Sequence, residues 1–243
     1  GVGVRGGPEV AAVITQALLL WDPSDGDAGA AAAAASAEGK LAAVTADFCN
    51  AFNASWRTVV LGRFLAEPRF QQAWRFAHWA YRSPSLLLLQ NRAGVVVEVL
   101  SSAEGTRQGD PLSCVLFAWG VHGVYRGVLA AHPDVLLVTV MDDATLFGEA
   151  GSVGPAFDTL TRLAREQLGL TANLRKCHAL WLHTGQEGEG GGTPPPLVLQ
   201  QWCADRNVAL QVGATKVLGA PTGCDRVAVQ ALLQKTLEKH ERF

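Results

Sequence analysis

Val135-Leu-Leu-Val-Thr-Val-Met-Asp-Asp-Ala-Thr-Leu-Phe147 decides how this chain is read, because it drives two adjacent carboxylates into a run that otherwise has the composition of a buried strand. The expected structure is a β-hairpin with Asp142 and Asp143 at its tip and Leu137, Val138, Leu146 and Phe147 buried in its strands. Carboxylates that close together cannot both stay ionised in an apolar setting without a cation. Asp is a favoured turn residue, so the pair by itself also admits a plain turn. The alternative is a divalent-metal site of hard oxygen ligands, suited to Mg²⁺ or Mn²⁺ and to phosphate chemistry.

Outward from this stretch, Leu41-Ala-Ala-Val-Thr-Ala46 is a second apolar strand, and it ends on Asp47-Phe-Cys-Asn-Ala-Phe52. An acid at the carboxyl end of a buried strand is either a helix N-cap or sits where ligands gather in open sheets. If the two strands are neighbours, Asp47 and Asp142 meet despite their distance in sequence. Residues 56–82 carry a helical pattern in which Trp74, Phe76, Trp79 and Tyr81 mix with Arg63, Arg69, Arg75 and Arg82. Arginines among aromatics could serve a template strand, but an amphipathic helix pair with its rings packed inward is the plainer expectation. Leu86–Gln90 and Val95–Leu100, joined by Asn-Arg-Ala-Gly, form a hairpin signal.

Arg107-Gln-Gly-Asp-Pro111 opens a long apolar helix, expected over 112–130, with Pro in its first turn. Beside Gly109, where the backbone carries no side chain, a nucleotide could lie close. Phe157, Leu160 and Ala164 mark an amphipathic helix stopped by Gly169, followed by a turn and strand over 173–182. Cys177, His178 and His183 lack a fourth ligand at zinc-site spacing. The remainder is a flexible Gly-Glu-Pro insertion at 185–196, a short strand with a turn at 216–223 and a charged helix at 225–243. At the front, a Gly-rich loop and a helix over 9–21 precede an Asp-Pro-Ser and alanine-rich connector at 22–39. Its Asp22, Asp25 and Asp27 read as turns rather than as a calcium loop.

At 243 residues and 49% apolar, the chain can bury a core as one domain, or as one domain with an appended piece. A net charge of -2 and a pI near 6.3 do not advertise a nucleic-acid binder, although a near-neutral total can hide a local basic surface. Five cysteines, odd in number and without a C-x-x-C pair, argue against a disulfide framework or zinc ribbon and for a reducing compartment. No run of roughly 18 consecutive apolar residues and no signal-peptide order are found. A start without Met leads us to expect a fragment of a longer protein.

Asp47-Phe-Cys-Asn-Ala-Phe, Arg107-Gln-Gly-Asp-Pro-Leu-Ser, Met141-Asp-Asp, Gly169-Leu-Thr-Ala-Asn-Leu-Arg-Lys176 and Leu218-Gly-Ala-Pro-Thr-Gly223 follow one another in the order and approximate spacing of the palm motifs of reverse transcriptases. The sequence most resembles the non-LTR retrotransposon type. This resemblance implies an α+β fold: a right-hand polymerase palm, an antiparallel sheet backed by helices, with partial fingers. It divides the chain into a fingers remnant and connector (1–40), a palm (41–224, with a fingers-type insertion at about 56–100) and a terminal helix (225–243) where a thumb could begin.

The implied function is RNA-directed DNA synthesis with RNA template, DNA primer and deoxynucleoside triphosphates as partners, no membrane, and an intracellular, nuclear setting. Two Mg²⁺ (or Mn²⁺) ions would be held by Asp47 and Asp142. Asp143 would be a supporting charge, because neighbours on a strand point to opposite faces. By the same resemblance Phe48 lends a backbone carbonyl, Phe52 lies beneath the sugar and rejects a 2′-hydroxyl, Arg107, Gln108 and Gly109 line the nucleotide pocket, and Lys176 protonates pyrophosphate. The sequence also departs from the family. Val140 stands where Tyr is usual and Asn53 where Asp is frequent. Only Arg5 and Lys40 are basic before Asp47, so the upstream triphosphate clamp is expected to be absent. Two alternatives stay open: a degenerate, non-catalytic palm acting as a nucleic-acid or protein binding module, and another palm polymerase such as an RNA-templated RNA polymerase or an intron maturase.

Overall fold

The computed structural model describes residues 41–182, 194–217, 220–223 and 226–240. The expected helix over 9–21, the connector and most of the 185–196 insertion lie outside them. Five strands form the central sheet: β1 (Leu41–Ala46), β4 (Leu136–Val140), β5 (Asp143–Glu149), β6 (His178–Trp181) and β7 (Ala209–Val212), in spatial order β4-β5-β1-β6-β7. All pairs are antiparallel except β6–β7, which is parallel and is bridged by a helix, α6 (Leu197–Arg206). Neither α6 nor β7 has a counterpart in the sequence expectations. The other helices are α1 (Ala51–Ala54), α2 (Arg57–Ala66), α3 (Gln71–Tyr81), α4 (Pro111–Ala131), α5 (Ala150–Leu168) and α7 (Arg226–His240). Two hairpins, β2 (Ser85–Gln90) with β3 (Val96–Ser102) and β8 (Ala214–Val217) with β9 (Ala220–Gly223), complete the described chain. The second stands where a single short strand was expected.

Alternation along the strands gives the sheet two different faces. Ala42, Val44 and Ala46 of β1, Ala144 and Leu146 of β5, and Ala179 and Trp181 of β6 face the main core. There they pack with Val60 and Phe64 of α2, Leu116 and Val124 of α4, and Phe157 and Leu160 of α5. The opposite residues, Leu41, Ala43, Phe147, Leu180 and Leu182, make a smaller cluster on the other face, with Leu136 and Val138 packed against it. Leu146 and Phe147 are buried as expected. Leu137 and Val138 are only half-buried, because β4 is an edge strand.

The helical stretch 56–82 is broken in two. Pro68 holds Glu67 extended (φ −88, ψ 114), since a residue before proline avoids the helical region, and a 3-10 turn at Pro68–Phe70 redirects the chain into α3. On α3 the rings divide: Tyr81 is buried and Trp74 packs against the core, whereas Phe76 and Trp79 are 60% and 66% exposed. The inward-packed expectation therefore holds for only half of the aromatics. The β2–β3 hairpin is exposed on both faces, Leu86 to Leu89 and Val95 to Val97 included. Its turn is fastened by Asn91 Oδ1, which accepts from the Ala93 and Val95 amides at 2.9 and 3.0 Å.

α4 spans 21 residues, within a residue at each end of the expected 112–130, and an 18-residue window of it has a mean hydropathy of 1.3, enough by length and composition alone to cross a membrane. About a third of that window is buried, and there Leu116, Phe117, Val121, Val124 and Val128 pack on α2 and α5. The Asp110 carboxylate caps its first turn, accepting from the Leu112 amide at 2.9 Å, with Pro111 in the first helical position.

Candidate active site

The acids collect at one end of the sheet because of strand register. β1 and β5 pair with Ala46 opposite Ala144, so the next positions along each strand are Asp47 and Asp143. Both fall on the face away from the helices, where they line a cavity of about 380 Å³ together with Thr45, Val138, Val140, Thr145, Arg175, Lys176 and His178. That face therefore grades from an apolar end at Leu41 and Phe147, through Thr45, Thr145 and His178, to an acidic end.

The hairpin tip differs from expectation. Val140 pairs with Asp143, so Met141 and Asp142 form the two-residue turn and Asp143 is the first residue of β5. Met141 has φ 58, a left-handed conformation that is uncommon for a side chain of its size, and of the two turn residues only it has positive φ, the sign pattern of a type II′ turn. It is Asp143, expected as the supporting charge, that stands abreast of Asp47 in register, while Asp142 occupies the turn.

Asp47 is held through its backbone. Its amide donates to Cys177 Sγ (3.4 Å), its carbonyl accepts from the Asn173 amide (2.8 Å), and the chain beyond it is zipped to the segment after α5 by Phe48 opposite Ala172 and by the Cys49 amide on Thr171 O (2.9 Å). Its Oδ2 is buried without a hydrogen bond, and Lys176 Nζ stands 3.7 Å away on a largely exposed side chain, a loose pair that water screens.

Both remaining acids hold their protons more tightly than usual. The Asp143 carboxyl is pushed up to about 6, first by loss of water around it and then by the Asp142 and Asp47 charges, with Lys176 opposing. Asp143 as a residue stays exposed, so the loss of water is local to its carboxyl. Asp142 is raised too, by burial and by Asp47, against a backbone hydrogen bond and Lys176. Burial lowers the His178 pKa, which leaves a neutral ring on the cavity wall. Cys177 and His178 are strand neighbours and point to opposite faces, the thiol toward the Asp47 backbone and the imidazole toward the cavity. His183 is outside the described residues.

The residues expected to line a nucleotide pocket form a separate neighbourhood that does not line the acid cavity. Phe48 is 3% exposed and belongs to the main core. Phe52, on α1, stacks on Phe117 of α4 with ring centroids 4.4 Å apart, and its carbonyl accepts from the Thr106 amide at 2.6 Å. Gly105 (φ +66) lies so tightly against this carbonyl that a Cβ there would sit 2.2 Å from Phe52 O. Arg107 is tied down, donating to Ala80 O at 2.6 Å and lying over the Tyr81 ring at 4.7 Å. Gln108 and Gly109 form an exposed turn with open space around Gly109, whose φ of +85 calls for glycine.

Sequence reasoning weighed His178 only as a zinc ligand and did not foresee that Thr45, Arg175 and His178 line the acid cavity or that Tyr125 reaches the hairpin turn at Met141. Thr45 and His178 could have been found by counting two residues back from Asp47 and two on from Lys176, once both segments were read as strand or strand edge.

No protein-family model matches the chain, and no curated protein matches it. Solved structures do resemble it in fold. Apo telomerase from Candida tropicalis aligns with a TM-score of 0.55 at 12% sequence identity, covering 89% of this chain and 35% of that one. Telomerase from Candida tropicalis in complex with the TWJ fragment of telomeric RNA gives 0.49 at 12% identity, covering 79% and 31%. The chain spans about a third of the length of the structures it matches. Its mixed α+β architecture, a five-stranded sheet backed by helices, is that of a reverse-transcriptase-like palm.

Proposed function

We propose that the chain is the palm of a reverse transcriptase of the non-LTR retrotransposon type. In its full-length parent it would extend a DNA primer along an RNA or DNA template, using deoxynucleoside triphosphates. The observation that carries this reading is the buried Asp47 Oδ2, without a hydrogen bond and in register with Asp143, whose proton affinity is already raised by loss of water and then by the neighbouring acids.

A buried carboxylate oxygen without a hydrogen bond, balanced only by a loose lysine pair and near two further acids, is a place a cation would suit, and an all-oxygen donor set suits Mg²⁺ or Mn²⁺. Asp47, Asp142 and Asp143 would hold two such ions, which when bound would activate the primer 3′-hydroxyl and stabilise the leaving pyrophosphate. Among the described residues no three His, Cys, Asp or Glu side chains are already gathered into a cage. Free carboxylates repel one another, and the incoming triphosphate supplies further oxygens. Lys176, exposed and beside Asp47, would neutralise the acids before substrate enters and donate a proton to the pyrophosphate afterwards. Phe52, stacked on Phe117, would reject a ribose 2′-hydroxyl, and a nucleotide would lie against the bare Gly109 turn.

Calorimetric titration with Mn²⁺ tests the reading on the chain itself. Weak uptake by the wild type, abolished in the double variant Asp47→Asn, Asp142→Asn, is expected. Equal uptake by both would remove the catalytic site and leave the non-catalytic binding module.

A further inference from the structure

α3 carries a second feature that the acid cavity does not use. Gln72, Arg75, Phe76 and Trp79 recur at helical spacing, so they share one face. Arg82 caps the helix at the edge of that face, where it also lines a pocket with Trp74, His78 and Glu104. Arg82 and the four residues of the face are all exposed. Phe76 and Trp79 lie 6.0 Å apart between ring centroids, tilted by 31°. Arg75 and Arg82 make no ion pair among the described residues. The helix contains no Asp or Glu, and the nearest acid before it, Glu67, is taken by Arg69 at 2.6 Å. The other face of the helix is satisfied by the core, with Ala77 and Tyr81 buried.

We propose that this outward face binds single-stranded nucleic acid, with successive bases stacking on Phe76 and Trp79 and flanking phosphates pairing with Arg75 and Arg82. Charge chooses the occupant. A second copy of the chain docked symmetrically here would set unpaired guanidinium groups against their own kind, at a cost to association. A polyanion whose bases offer flat π-faces satisfies rings and arginines together. The chain as a whole is slightly acidic, so affinity would come from this local basic, ring-bearing strip rather than from the overall field. The proposal goes beyond the polymerase reading and does not depend on the acids.

Fluorescence anisotropy of labelled DNA and RNA oligonucleotides of about 20 nucleotides, single-stranded and duplex, titrated with the whole chain without divalent cations, provides the test. Single strands are expected to bind more tightly than duplex. Phe76→Ala with Trp79→Ala should weaken them at least about tenfold, the loss typical of removing base-stacking rings. Arg75→Ala with Arg82→Ala should reduce the slope of log affinity against log salt by about 1.4, about 0.7 for each phosphate contact removed. Thermal melts of both variants are expected to match the wild type, since the substituted groups lie in solvent. Undetectable oligonucleotide binding, or binding unchanged in both double variants, would overturn the proposal. So would a concentration-dependent dimer lost in Phe76→Ala with Trp79→Ala, which would assign the rings to a second copy. Mn²⁺ uptake measured on the same samples separates failure here from failure of the catalytic reading.

Discussion

The Tyr125 hydroxyl donates a 2.7 Å hydrogen bond to the Met141 carbonyl, tying the helix that follows the Gln108-Gly109 turn to the hairpin turn that carries Asp142. Tyr125 is 9% exposed, and burial together with the nearby acids pushes its pKa up, so it is a neutral donor. The turn it holds is strained, because Met141 adopts φ 58. Such a conformation costs on the order of 1 kcal/mol or more and persists only where surroundings over-determine it. The bond from α4 is one such constraint, and it ties that helix to the turn that carries Asp142.

Tyr125→Phe should therefore lower stability by about 1 kcal/mol, the usual net worth of a hydrogen bond, with little change in packing. Denaturant unfolding measures the loss. Mn²⁺ affinity should fall as well, because the turn bearing Asp142 is less firmly placed, whereas Met141→Gly should relieve the backbone strain but lose the packing of the Met141 side chain against the core. Unchanged metal affinity in Tyr125→Phe would show that the hydroxyl supports only the fold.

Asp143 sets a pH dependence whose sign can be worked out. Its carboxyl titrates near 6 in the folded chain, against about 3.9 when unfolded, so between these values the folded state binds the proton more tightly. Its contribution to stability is present below about pH 4 and is lost as the pH rises toward 6, and Asp142 shifts in the same direction. Without divalent cations, stability should fall across that interval. Asp143→Asn should flatten the profile, and saturating Mn²⁺, which competes with the proton, should reverse it. Melting temperature recorded against pH distinguishes these outcomes.

Gly105→Ala should be among the most damaging single substitutions in the chain. A Cβ at this position meets the Phe52 carbonyl at 2.2 Å, and the backbone φ of +66 disfavours any side chain. Backbone would have to shift on both sides of the contact, at the cost of the Gly105 amide bond to Ser55 O (2.9 Å). We expect a loss of about 3 kcal/mol or more, read from the urea midpoint.

Phe52→Ala should act twice. Losing the stack on Phe117 should lower stability by about 2 kcal/mol. In a full-length active parent, ribonucleotide incorporation should rise relative to deoxynucleotide incorporation, since the ring works by steric rejection. The ratio of the two incorporation efficiencies is the measurement, and an unchanged ratio would leave Phe52 with packing alone.

Much of the fold was legible in the sequence because it depends on local periodicity. The apolar runs at Leu41–Ala46 and 135–147, the Asp-Pro start of α4 and the Gly169 stop of α5 are signals written within a few residues, and the structure has an element at each. Asp47, Asp142 and Asp143 were identifiable for the same reason: each interrupts or ends a run that is otherwise apolar. What remained hidden depends on pairing between distant segments. The register that sets Ala46 against Ala144, and so Asp143 rather than Asp142 abreast of Asp47, is a property of two strands, because a shift by one residue would turn every side chain to the other face. The outward turn of Phe76 and Trp79 was equally undecided, since amphipathic spacing names two faces of a helix and only the packing of Ala77 and Tyr81 against the core determines which of them meets solvent.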